Sequence, residues 1–308
     1  MSDPMWFDDI PVIGKLSPPE AAAKLREMGD LEAAAQVESP EPMADGTESF
    51  GMLGWGKAKH RLYRNTTHTF GFVAISSDTD LLPARHAGQI DPDERLKNNR
   101  IKITLDRLRV ASYPGGGMHR ILFDFYAKNQ AEGQDEHLHF TLTLRVQEGQ
   151  YAGVIGYPIF VGLNVGAAGI DMKGFTVNVK NDADERFLAA LESDVFRSGL
   201  KLATTVQPAI APLAGITHAL TQTIAKRNRN VPVQDFFMGL DFDVSVPSRA
   251  RLREGAYIVV QLPESDTVLW NWNEWVFDRS NGQLVRADDH RKMVPYNYLV
   301  LGVSQYNE

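Results

Sequence analysis

Residues 137–147 alternate without a break. Leu138, Phe140, Leu142, Leu144 and Val146 take one set of positions, and His137, His139, Thr141, Thr143 and Arg145 take the other. Successive side chains of a strand point to opposite faces, so this segment reads as a β-strand with one apolar and one polar face. A helical period of 3.6 would scatter the same apolar residues around the axis. Strict alternation is the habit of antiparallel sheets, in which the polar face is wet or turned toward a ligand. A chain built on such strands must pack sheets against each other to cover the apolar faces.

The rest of the chain follows the same pattern. A hairpin partner is predicted at residues 120–127, with Ile121, Phe123 and Phe125 inward, and further strands at 101–110, 175–179, 240–246, 257–262, 268–277 and 298–303. Arg279-Ser280-Asn281-Gly282 joins 270–277 to 283–286 as a tight turn. One helical excursion, about 182–230, interrupts the strands. Asp182 and Glu185 form a capping signature there, and Ile210, Leu213, Ile216, Leu220 and Ile224 recur at helical spacing before Lys226-Arg227-Asn228. The expected fold is mainly β: an antiparallel β-sandwich, of which C2-like domains are one form, with an inserted helical pair and a short helical N-terminal arm.

Charge divides the chain in two. Its 308 residues hold 39 acidic and 32 basic side chains, and residues 1–50 alone hold 11 acidic and 3 basic ones, so the arm carries the whole acidic excess. Ser17 and Glu20 flank two prolines as a capping box, and Asp30 can cap a second short helix. Residues 38–49 show no periodicity and read as a linker. We therefore expect an acidic arm over 1–50 and a single sandwich domain over 51–308. The chain has no cysteine, which removes disulfide scaffolds, thiolate metal sites and cysteine nucleophiles. With no secretory signal at its start, the expected setting is cytoplasmic.

Four sets of residues suggest chemistry. His137 and His139 share a strand face, and Asp124 lies on the predicted partner strand, a combination that can hold a divalent metal. The pair resembles the His-x-His of cupin barrels in those two residues, but the carboxylate that family places a few residues later is absent. Asp78 and Asp80 are the best placed of four Asp-x-Asp pairs for a calcium-binding loop. Basic residues gather as Lys57, Lys59, Arg61 and Arg64, as Arg107 and Arg109, and as Lys226, Arg227 and Arg229, and could receive an anion or the acidic arm. Residues 51–57 carry P-loop spacing, but Ala58 stands where a hydroxyl should bind magnesium. The sets together favour a non-catalytic interaction protein, with no cofactor expected and a metal-dependent enzyme centred on His137 and His139 as one alternative.

Its partners are expected to be another protein or a second copy. The uncharged runs 149–170 and 202–225, or a calcium-dependent C2-like loop, point to the other alternative, a membrane-acting effector with conditional membrane contact. Nucleic acid is disfavoured, because outside the arm acids and bases nearly cancel.

Overall fold

The computed structural model describes residues 6–38, 62–75, 79–131, 134–184, 188, 199–203, 207, 210–246 and 249–307. The glycine run at 51–57, the basic residues Lys57, Lys59 and Arg61, Asp78, Glu185 and most of the 38–49 linker lie outside the described residues.

Two antiparallel-rich sheets face each other. The five-stranded sheet runs in the order β11 (Ala250–Arg251), β10 (Val231–Asp241), β8 (Gly169–Asn178), β5 (Met118–Ala131) and β6 (Gln134–Gln147). The seven-stranded sheet runs β3 (Arg85–His86), β1 (Thr67–Val73), β12 (Gly255–Leu262), β15 (Tyr298–Gln305), β4 (Arg100–Arg109), β7 (Tyr157–Asn164) and β9 (Leu200–Lys201). A small third sheet of β14 (Gln283–Arg286), β13 (Trp275–Asp278) and β2 (Leu81–Pro83) lies against the outer side of the seven-stranded one.

Alternation builds the main core. Ile121, Phe123 and Phe125 of β5 and Leu138, Phe140, Leu142 and Leu144 of β6 meet Ile101, Ile103 and Leu105 of β4 and Phe160 of β7. The longest pairing, β5 with β6, keeps one unbroken antiparallel register from Met118–Gln147 to Ala131–Gln134. The seven-stranded sheet is buried on both faces. On β12, Tyr257 and Val259 enter the main core while Ile258 and Val260 face the third sheet with Trp272, Trp275 and Tyr298. That explains why these strands read as continuous apolar runs.

The N-terminal residues join the body. α1 (Pro18–Glu27) and α2 (Leu31–Glu38) bury Ala21, Ala22, Leu25, Ala34 and Val37 in the main core. The Glu20 carboxylate accepts from the Ser17 amide at 3.0 Å and from its hydroxyl at 2.6 Å, as the capping box predicts. Asp30 caps α2 by accepting from the Ala33 amide at 3.0 Å. Its second oxygen accepts from the Gly115 amide at 2.8 Å, which ties the helix to the turn before β5. Gly115, Gly116 and Gly117 all have positive φ, a run that only glycine adopts without strain.

Several predicted elements differ in the structure. Residues 268–277 are not one strand: α4 (Glu264–Thr267) and a 3₁₀ turn at Trp272–Glu274 precede a four-residue β13. The predicted strand at 240–246 belongs mostly to a turn, because β10 ends at Asp241. The uncharged run 149–170 supplies β7, whose Ile159, Phe160 and Leu163 are fully buried. The run 202–225 supplies α3 (Ile210–Lys226), and among the described residues no helix is long and apolar enough to cross a membrane.

Candidate functional site

The middle of the polar face predicted for β6 is buried, although Arg145 at its end is exposed. α3 lies across it, and His139 and Thr141 are buried beneath the helix. Register places Asp124 opposite Thr141 and Tyr126 opposite His139 on β5 and β6, and Asp124 opposite Phe175 and Tyr126 opposite Lys173 on β5 and β8. Alternation therefore gathers Asp124, His137, His139, Tyr126 and Lys173 on the outer face of the five-stranded sheet.

Asp124 is the hub. One carboxylate oxygen accepts from His139 Nδ1 at 2.8 Å, and the other from the Thr221 hydroxyl of α3 at 2.7 Å. Asp124 and Thr221 are fully buried, and the His139 side chain is sealed from solvent as well. A carboxylate in such surroundings is tolerable only when its lone pairs are engaged. The order Thr–Asp–His also limits the chemistry. The hydroxyl donates to the carboxylate and not to the imidazole, so the histidine is not placed to activate it as a nucleophile. His137 sits on the same face, but its Nδ1 is 2.6 Å from the Tyr126 hydroxyl and not on Asp124. Among the described residues, no group of three or more His, Asp or Glu side chains is placed to hold a metal ion.

The N-terminal segment closes this face. Trp6, Phe7, Ile10 and Val12 are all buried in an apolar cluster with Leu122, Tyr126, Phe175, Val177 and Ile224. Phe7 stacks between Phe175 and His218, with ring centroids 4.6 and 4.8 Å away. Trp6 lies 6.4 Å from the His139 ring and 5.8 Å from Tyr126, and the Lys173 ammonium sits 5.0 Å from its ring centre. Its indole N–H donates to Asp235 at 3.2 Å, and His218 Nε2 lies 3.4 Å from the Trp6 carbonyl. Two ion pairs mark the edges: Asp9 with Lys226 at 2.7 Å and Lys15 with Asp235 at 3.5 Å. The Lys226 ammonium, hydrogen-bonded to Asp9, holds that carboxyl below the usual carboxylate range.

The basic residues divide by place. Lys226 ends α3, Arg227 and Arg229 follow it, and each meets an acid: Asp9, the buried Asp184 and Asp182 respectively. Arg107 and Arg109 are two residues apart on β4, near the third sheet. Arg107 donates to the Asn281 carbonyl, and buried Arg109 donates to the Tyr296 carbonyl at 3.1 Å. Arg64 is exposed at the end of a 3₁₀ turn, Leu62–Arg64.

Among the described residues, the aspartates of the Asp-x-Asp pairs hold separate partners. Asp80 faces Arg279, Asp93 faces Arg95, Asp241 faces Arg249, and Asp243 accepts from the Ser245 amide. Each of these has its own separate partner.

Sequence reasoning found Asp124, His137 and His139 but missed Trp6, Phe7, Lys173, His218 and Thr221. The one available signal was a Trp-Phe pair inside an otherwise acidic arm, since large aromatics seldom stay in solvent. No family model, no curated protein and no solved structure matches the chain.

Proposed function

We propose that the chain is a non-catalytic β-sandwich interaction protein, an adaptor, effector or assembly subunit in a cytoplasmic setting. On this reading its acidic N-terminal arm regulates a basic surface at the end of α3. The observation that carries the reading is the Asp9–Lys226 pair beside Trp6 and Phe7, which seats an acidic, aromatic segment of the arm on the first cation of that surface. The arm acts as a plug. When it leaves, Lys226 and the aromatic face around Tyr126 and Phe175 become available together. The partner that fits is a protein segment of the same chemistry, with paired aromatics followed by acids, or the arm of a second copy. Exposed ion pairs contribute only about 0.2–1 kcal/mol each, so the aromatic anchors set the affinity and Asp9 sets the register.

The test uses a labelled peptide of residues 1–16 against the full chain and against a Trp6→Ala/Phe7→Ala variant shown by circular dichroism to keep its sheet content. The variant is expected to bind the peptide saturably and the unaltered protein only weakly, with binding reduced by Lys226→Glu in the variant. Equal binding to both proteins, or none to the variant, overturns the reading.

A membrane-acting role is favoured by a separate observation: Leu213 and Ile216 of α3 are exposed, 54% and 66% respectively. Co-sedimentation with anionic vesicles that is lost on Leu213→Ser/Ile216→Ser would support it; no co-sedimentation of either protein would dismiss it.

A further inference from the structure

A cavity of about 410 Å³ opens beside the edge of the seven-stranded sheet, remote in sequence from the residues around Asp124. Its size is in the range of small-molecule pockets, roughly 300–1,000 Å³. The apolar part of its lining is Phe72 of β1, Leu82 of β2 and Ile90, and the polar part includes Arg85, Arg253 and Gln89.

The two guanidinium groups come from the two sides of β1. Arg85, on the short edge strand β3, is in register opposite Phe72. Arg253 lies in the turn leading into β12, the other neighbour of β1, where Tyr257 is opposite Phe72. That turn is fixed from inside the core. The buried Tyr257 hydroxyl donates to the Arg251 carbonyl at 2.6 Å and accepts from the Arg253 amide at 2.8 Å. Burial pushes this phenol well above its ordinary range, so it stays a neutral hydroxyl able to hold both bonds.

Among the described residues, neither of these arginines is locked in an ion pair. Arg95, Arg227, Arg249, Arg286 and Arg291 each hold a carboxylate. The Arg85 side chain makes no hydrogen bond or ion pair among the described residues. The Arg253 side chain commits one N–H, to the Asp91 carbonyl at 3.1 Å; among the described residues no carboxylate lies within ion-pair distance of it, and its charge helps lower the Asp93 carboxyl. Two planar, forked donors and apolar side chains lining one cavity match the needs of an anion with a hydrophobic body.

We propose that this cavity binds a small organic anion, in which an apolar or aromatic body rests on Phe72, Leu82 and Ile90 while a carboxylate or phosphate meets Arg85 and Arg253. Asp91 also lines the cavity, and its negative charge disfavours a second anionic group on the ligand.

Isothermal titration of the full chain tests this with four probes: phenyl phosphate, benzoate, phenol and inorganic phosphate. Phenyl phosphate or benzoate is expected to bind one to one with a Kd of about 1 mM or tighter. Phenol and inorganic phosphate, each carrying half of the recognition, are expected to bind at least tenfold more weakly. Arg85→Gln and Arg253→Gln should each weaken binding at least tenfold with an unchanged melting temperature, because both side chains are largely outside the core. The proposal is overturned if neither aromatic anion binds, or if phenol binds as well as they do. It is also overturned if binding survives both substitutions, which would place the probe elsewhere. Of the two aromatic anions, the tighter one identifies the head group as phosphate or carboxylate.

Discussion

His139 donates through Nδ1 to Asp124 at 2.8 Å, and both side chains are sealed from solvent between the five-stranded sheet and α3. The same carboxylate holds Thr221, so one acid pins the sheet to the helix that covers it. Removing one partner from a buried pair leaves the other uncompensated, which costs more than the pair contributes.

Asp124→Asn keeps the volume of the side chain but turns an N–H toward one of its two donors. The expected loss is about 3 kcal/mol in urea unfolding. Thr221→Val removes a single hydroxyl and should cost about 1 kcal/mol. Because both bonds end on one carboxylate, the double variant should be more stable than the sum predicts. Strict additivity would mean that the two bonds act independently.

A second buried imidazole carries a pH dependence. His119 is fully buried, and burial, helped by nearby Lys180, lowers its pKa to about 4. Its Nδ1 lies 3.3 Å from the Asn178 amide nitrogen, which fits a neutral ring accepting there and carrying its proton on Nε2, 4.0 Å from Glu148. In the unfolded chain a histidine takes up its proton near pH 6.5. Between that value and 4 the unfolded state binds more protons than the folded one. This contribution to stability is therefore complete above pH 6.5 and is lost as pH falls toward 4. Its full size is on the order of 3 kcal/mol. Comparing unfolding at pH 7 and pH 5 for the native chain and His119→Asn measures it; an identical pH slope in the two would refute the assignment.

The parts of the fold that were legible in the sequence are those where one periodicity decides everything. β5 and β6 alternate through 120–127 and 137–147, so both their inner faces and the Asp124–His139 neighbourhood could be read directly. The identity of the cover could not. Thr221 reaches Asp124 only because α3 docks across the sheet, and nothing local to Thr221 encodes that contact. The arm's charge excess drew attention to its acids, whereas its energy lies in Trp6 and Phe7, whose partners are more than 100 residues away in sequence. At residues 268–277 the aromatic content suggested a strand. Asn271 instead caps a 3₁₀ turn by accepting from the Asn273 amide at 3.1 Å, and that local bond outweighs the β propensity of the tryptophans. The cavity beside Arg85 left no periodic trace, since its lining comes from separate short elements.

The tryptophans of that segment also explain one glycine. A Cβ built on Gly71 of β1 would lie 2.4 Å from the Trp272 ring, and the ring is held in place by its indole N–H, which donates to the Thr69 hydroxyl at 3.1 Å. Trp272 in turn meets Trp270 edge-on at 5.3 Å, and Trp270 stacks on Trp275 at 5.1 Å with their planes only 8° apart. The ring therefore cannot withdraw without disturbing two others. Gly71→Ala is expected to cost about 1–3 kcal/mol, as overpacking in a filled core does, and to alter the near-ultraviolet circular dichroism of the tryptophans. Gly215, on α3, gives the contrast. A Cβ there meets nothing within 4 Å, and alanine favours helix over glycine by about 1 kcal/mol, so Gly215→Ala should leave stability unchanged or raise it. Urea unfolding of the two variants separates a packing role for Gly71 from a general cost of replacing glycine, and equal effects at both positions would remove the packing role.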